Sequence, residues 1–251
     1  LVHLYHRGNR KMKRLESTKL VIGSFGALAF AVALQASANV FTFATPTGSM
    51  VPVDGAVNAS ATVTTGAGTV TISLTDLLAN PTSVGELISD FDFVLSGGQT
   101  TGTLTSSSGQ QITVAGNGTT TLGSTGSTGW GLNSNVAGGL QLDALGFVGP
   151  AGLILGPPGA GGVYTNANPS IAGNGPHNPF LNQTATFTVT VAGVTTNSNI
   201  TSATFSFGTT AGVNVPGVLQ LPSGKIPEPA SIALLGIGLL AFGASRRNRK
   251  A

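Results

Sequence analysis

Cysteine is absent from the 251 residues, which removes disulfides and thiolate metal sites from the options open to this chain. Positive charge is absent from its middle. Between Asn39 and Gly224 there is no Lys or Arg, while Asp54, Asp76, Glu86, Asp90, Asp92 and Asp143 remain. The formal net charge of +3 therefore misdescribes the body, which stands near −6. Such a surface cannot hold a phosphate backbone by counterion release, so nucleic acid is excluded as a partner. His177 is the single histidine of the body, so a Ser-His-Asp arrangement would have only that base. It stands in a Pro/Gly/Asn loop, where an exposed bystander is expected. Glu86 and Asp143 have no visible partner, which leaves no carboxylate pair for glycoside hydrolysis. No Gly-rich segment matches a phosphate loop with its Lys. The body reads as non-enzymatic, with no catalytic residue and no cofactor; a secreted hydrolase built on His177 is the remaining enzymatic alternative.

The chemistry that is present lies at the two ends. Ile226-Pro227-Glu228-Pro229-Ala230-Ser231 is followed by an apolar run, Ile232 to Ala244, and then by Arg246, Arg247, Arg249 and Lys250. Two prolines fix an extended, accessible segment around Glu228. As a helix, the charge-free Ala230–Ala244 spans roughly 22 Å at ~1.5 Å per residue, short of a ~30 Å hydrocarbon core. The basic tail belongs on the cytoplasmic side. In this order the three parts resemble the PEP-CTERM signal of bacterial exported proteins, whose sequences are sometimes grouped under an ice-binding C-terminal name. The resemblance covers residues 226–251, with a transmembrane helix at 230–245. It implies processing by an exosortase-type membrane enzyme, membrane association and, by extension, an exopolysaccharide partner.

The N-terminal end agrees. Met12 is read as the start, with residues 1–11 upstream of it. Lys13, Arg14 and Lys19 precede an apolar Leu20–Leu34, and Ala36-Ser37-Ala38 supplies the small residues of a signal-peptidase site. Residues 12–38 then form a signal peptide cleaved before Asn39, with Ala36 and Ala38 as the recognised pair. Both ends place residues 39–225 outside the cytoplasmic membrane, anchored by the C-terminal helix or released after processing.

Within that body the hydrophobic period is two. Val70, Ile72 and Leu74 alternate with Thr69, Thr71 and Ser73; Thr184 to Val191 and Ser202 to Phe207 repeat the pattern. Phe91–Leu95, Thr101–Thr105, Gln110–Val114 and Leu140–Phe147 are further strands, separated at Gly97-Gly98, Gly116-Asn117-Gly118 and Ala192-Gly193. Thr75–Ile88 reads as a short helix interrupted by Pro81. Residues 149–179, rich in Gly and Pro, read as a long surface loop. The fold class is all-β: an antiparallel sandwich or jelly-roll-like single domain, flanked by an N-terminal signal helix and the C-terminal transmembrane helix.

Three features bear on ligands. Asp90 and Asp92 project from one strand face; a solvated face is favoured over the alternative, a Ca²⁺ site. Thr184, Thr186, Thr188 and Thr190 line one face, with Ser202, Thr204 and Ser206 expected beside them. Such an array suits polysaccharide or, if flat, ice, though Thr is also simply a good exposed strand residue. Trp130 reads as packing rather than as a sugar platform, with Tyr164 too remote to pair with it. The sequence thus points to an exported surface or extracellular-matrix structural protein. The alternative is a ligand-binding module for polysaccharide, ice or Ca²⁺.

Overall fold

Thr69–Asp76 illustrates why this chain makes strands. Val70, Ile72 and Leu74 are fully buried, while Thr69, Thr71, Ser73 and Thr75 lie on the other face. β-Branched side chains tolerate the extended backbone, and a period of two gives one dry and one wet face. The computed structural model describes residues 38–52 and 54–221 and repeats this pattern throughout. The strands are β1 (Asn39–Ala44), β2 (Met50–Val51), β3 (Gly55–Ala56), β4 (Ala59–Gly66), β5 (Thr69–Asp76), β6 (Ile88–Leu95), β7 (Thr103–Val114) and β8 (Thr120–Gly126). They continue with β9 (Gly131–Val136), β10 (Gly139–Asp143), β11 (Ile154–Leu155), β12 (Phe180–Thr190), β13 (Ile200–Phe207), β14 (Asn214–Pro216) and β15 (Val218–Gln220). The described chain is all-β, with only two 3₁₀ turns, Val84–Glu86 and Ala160–Gly162.

Apart from the β2–β3 hairpin, the strands form one mixed sheet of 13. Hydrogen bonding resolves it into two antiparallel runs, β8-β7-β12-β5-β4-β1-β15 and β14-β13-β6-β10-β9. The short β11 ties them together, parallel to β12 through Ile154↔Leu181 and antiparallel to β6 through Ile154↔Ile88. Each run buries one face in a common core. In the longer run Val63, Ile72 and Phe187 stand in one cross-strand row, and Ala61, Leu74 and Ala185 in the next. In the shorter run Phe91 lies between Leu142 and Phe205, its ring centroid 5.2 Å from that of Phe205. Large side chains in one row thus stand beside alanines in the next, an alternation that lets a layer interdigitate.

Several expectations from sequence are corrected. Thr101–Thr105 and Gln110–Val114 are not two strands but parts of one, β7, because Ser106-Ser107-Ser108-Gly109 keep pairing with β12 despite lacking apolar character. Register shifts opposite Leu181/Ala185 and Thr188/Val189 absorb the irregularity. The helix expected over Thr75–Ile88 is a single 3₁₀ turn. β5 runs through Asp76, and a capping box between Ser83 and Glu86 closes the turn at Val84–Glu86. β10 ends at Asp143, not Phe147, because Asp143 Oδ1 accepts the Gly146 amide at 2.9 Å and turns the chain.

The surface loop over 149–179 is also corrected. Leu153, Ile154 and Leu155 are fully buried and supply the strand that joins the two runs. Tyr164 and Ile171 are buried as well, and Tyr164 Oη donates to Gly156 O at 2.7 Å. A strand covered on both faces reads as a continuous apolar triplet, so an alternation rule passes over it. The predicted N-terminal signal helix and the C-terminal helix at 230–245 lie outside the described residues. Among the described residues no helix is long and apolar enough to cross a membrane.

Candidate functional site

The outer face of the longer run is paved with hydroxyls. Register aligns Ser108, Thr186, Ser73, Thr62 and Thr42 in one row across β7, β12, β5, β4 and β1. The adjacent row holds Ser106, Thr188, Thr71 and Thr64, and the rows on either side carry Thr103, Thr190 and Thr69, and Thr184, Thr75 and Ser60. Strand geometry spaces these hydroxyls roughly 4.8 Å across the strands and 6.7 Å along them. None of these positions carries a charge or an aromatic ring. Among the described residues the only hydroxyl–hydroxyl bond within the rows joins Thr75 and Thr184, at 3.1 Å. The other hydroxyls are left to exchange hydrogen bonds with solvent or a ligand.

This placement corrects the expected companions of Thr184–Thr190. Ser202, Thr204 and Ser206 stand on β13, in the other run between β6 and β14. The true neighbours are the alternating residues of β5, β4 and β7. Their hydroxyl pattern is visible in sequence, but the strand order that assembles it is not.

The second feature is acidic. β6 and β10 pair Asp90 with Asp143 directly and Asp92 with Gln141. Asp90 is 6 % exposed, so the solvated strand face expected for it is corrected, as is the lack of a partner for Asp143. Burial first, then the hydrogen bond and charge of Asp143, push Asp90 up to about 7. As an anion Asp90 Oδ1 would have no donor; a proton gives it one toward Asp143. Asp92 is raised by burial and by Asp143, partly offset by a hydrogen bond from Gln141. Asp143 itself accepts Asn133 Nδ2 at 2.7 Å.

A second acid group is structural. Glu86 Oε2 accepts the Thr82 and Ser83 amides, and Ser83 Oγ donates to Asp54 Oδ1 at 3.0 Å, so Glu86 does have partners. Asp76, fully buried, accepts the Leu78 amide at 3.0 Å, and burial raises its pKa well above the usual carboxylate range. Among the described residues no three His, Cys, Asp or Glu side chains are grouped to hold a metal ion. Asp90, one of the two Ca²⁺ candidates, is paired with Asp143 instead of with Asp92.

The remaining candidates take other roles. Trp130 is 5 % exposed, donates Nε1–H to Gly152 O at 2.8 Å and packs 5.1 Å from the Phe187 ring, so it is core and offers no sugar platform. His177 Nδ1 bonds to Ser170 O at 2.7 Å, within its own loop. Ala38 is exposed at the edge of the described residues. Ala36, Pro227, Glu228, Pro229, Arg246, Arg247 and Arg249 lie outside them.

One comparison decides the C-terminal reading. A family model described as the PEP-CTERM protein-sorting motif matches residues 225–247. The chain carries a PEP-CTERM sorting signal. That signal marks an exported protein sorted by an exosortase, a membrane enzyme. The PEP-CTERM match stops short of the β-strands, and no curated protein and no solved structure matches the chain.

Proposed function

We propose that this chain is a non-enzymatic protein of the bacterial surface or extracellular matrix whose hydroxyl rows hold a neutral polysaccharide. Two antiparallel runs sharing one core support a single sandwich-like domain, with the outer face of the longer run left to solvent. The observation that carries the reading is the lattice itself. Hydroxyls both donate and accept, as sugar hydroxyls do, and the rows carry no charge to attract a polyion. Without an aromatic platform, affinity must come from many weak bonds along an extended polymer. Adjacent strands twist by roughly 20–25°, so the rows curve, which suits a flexible chain better than a plane of ice. The PEP-CTERM signal supports delivery to the compartment where such polymers lie.

The test is co-sedimentation of the full-length chain with neutral exopolysaccharide from its own host. Thr71→Glu with Thr188→Glu, at the centre of the rows, should reduce retention at least tenfold, a loss of about 1.4 kcal/mol. Ser202→Glu on the other run should leave it intact. Absence of sedimentation, or equal loss from all the substitutions, refutes the reading.

A further inference from the structure

A sheet edge exposes unpaired amides and carbonyls, and proteins blunt it by shortening it, covering it, or placing proline or charge there. Three edges of this sheet are blunted. β14 and β15 have three residues each, and β14 ends in Pro216. On β9, Asn135 donates its amide to Thr100 O at 2.8 Å, so the connection between β6 and β7 covers that edge. β8 is neither short nor covered, and its one irregularity is an extra residue between Leu122 and Thr125, opposite Gln110 to Ile112 of β7. It is seven residues long, pairs only with β7, and is exposed from Thr121 through Gly126. It holds neither proline nor charge, and no ionisable side chain at all occurs from Phe93 to Leu142. At its centre Leu122, opposite Ile112, is 56 % exposed.

We propose that β8 pairs with β8 of a second copy of this chain, antiparallel about a two-fold axis, so that two sheets become one. The free backbone groups call for a strand, not for a lipid or a glycan. An antiparallel edge is its own complement: under a two-fold axis each donor row meets the acceptor row of its twin. The uncharged surroundings place no like charges against each other across the axis, and pairing covers the two Leu122 side chains. A sorting signal shared by every copy gathers them on one surface. This pairing stands independently of polysaccharide binding, because the hydroxyl rows lie on the sheet face and β8 at its edge.

The absence of cysteine makes the test background-free. Leu122→Cys and Ser124→Cys are introduced singly into the full-length chain in its host envelope, followed by mild oxidation. A reducible dimer of twice the chain mass is expected from whichever of the two thiols faces its twin across the two-fold axis, and none from Val218→Cys on β15 or Ser202→Cys on β13. Adding Thr121→Lys to that cross-linking variant should lower the dimer yield at least tenfold, a change of about 1.4 kcal/mol. Failure of both β8 thiols to cross-link overturns the proposal. So does a β8 cross-link to a protein of another mass, or equal yield from Val218→Cys. Since the cysteine variants leave the hydroxyl rows untouched, a negative result here does not bear on polysaccharide binding.

Discussion

Raising the pH from 5 to 8 should destabilise this domain, against the habit of most acidic proteins. The perturbation acts through Asp90, whose folded pKa of about 7 exceeds its unfolded value of 3.8. A carboxyl shifted upward binds its proton more tightly when folded. Its contribution is therefore complete below pH 3.8 and is lost as the pH rises through about 7. The groups facing it are Asp143 on β10 and Asp92 on its own strand; β13 and β14 contribute only Ser206 and Asn214, hydrogen-bonded to each other at 2.7 Å. No described Lys or Arg offsets them. Of this shift about two units fall between pH 5 and the folded value of about 7, and at ~1.4 kcal/mol each they set a ceiling of ~2.8 kcal/mol for the change from pH 5 to 8. Solvent screening on the open side of the pair reduces this to about 2 kcal/mol. For a domain of this size that corresponds to roughly 4–8 °C in Tm. Asp92, Asp76 and Glu86 are raised too and add slope of the same sign. The assay is thermal melting of the full-length chain at constant ionic strength from pH 5 to 8. Asp90→Asn keeps an amide donor toward Asp143 but cannot titrate, so its profile should be flatter and its stability at pH 8 should exceed that of the parent. A parent Tm that rises with pH, or an unchanged slope in Asp90→Asn, would refute the reasoning.

Three further outcomes follow from packing and sorting. Phe205→Ala removes a fully buried ring against Phe91 and should cost about 3–5 kcal/mol, read by denaturant unfolding. Gly139→Ala would set its Cβ 2.2 Å from Phe93 O, a backbone atom that cannot swing away, and should cost on the order of 1–3 kcal/mol; Gly116→Ala, with open space around it, should be close to neutral in the same melts. Intact mass of the protein from its native envelope should show loss of the chain beyond the Pro227–Pro229 segment. A mature chain still ending at Ala251 would contradict processing.

The strands legible in sequence were those whose two faces differ in polarity. β5, β12 and β13 alternate Thr or Ser with apolar residues, and each formed within a few residues of its expected bounds. Those without that contrast were hidden. β8 is exposed almost throughout and has no apolar stripe, whereas β11 is buried on both faces and shows no polar one. The hydroxyl rows were half visible: one strand's threonines stand out, but β5 and β4 become their neighbours only through pairings between distant segments, such as Thr188↔Thr71 and Thr71↔Thr64. Asp90 and Asp143 likewise met through the β6–β10 ladder across some fifty residues of uncharged chain. Local pattern reports burial, and long-range register decides which polar groups become neighbours.

The pairing of β1 with β15 has a topological consequence. Thr42 opposite Gln220 and Ala44 opposite Val218 bring Ala38 and Leu221 to the same end of that strand pair, with Ala38 roughly 13 Å beyond the last paired residues at ~3.3 Å per residue. The described fold is therefore almost a closed loop, open at a single seam. A linker of a few residues across the seam would circularise it. New ends could then be cut at the exposed Gly97-Gly98 turn, where no ladder would be lost.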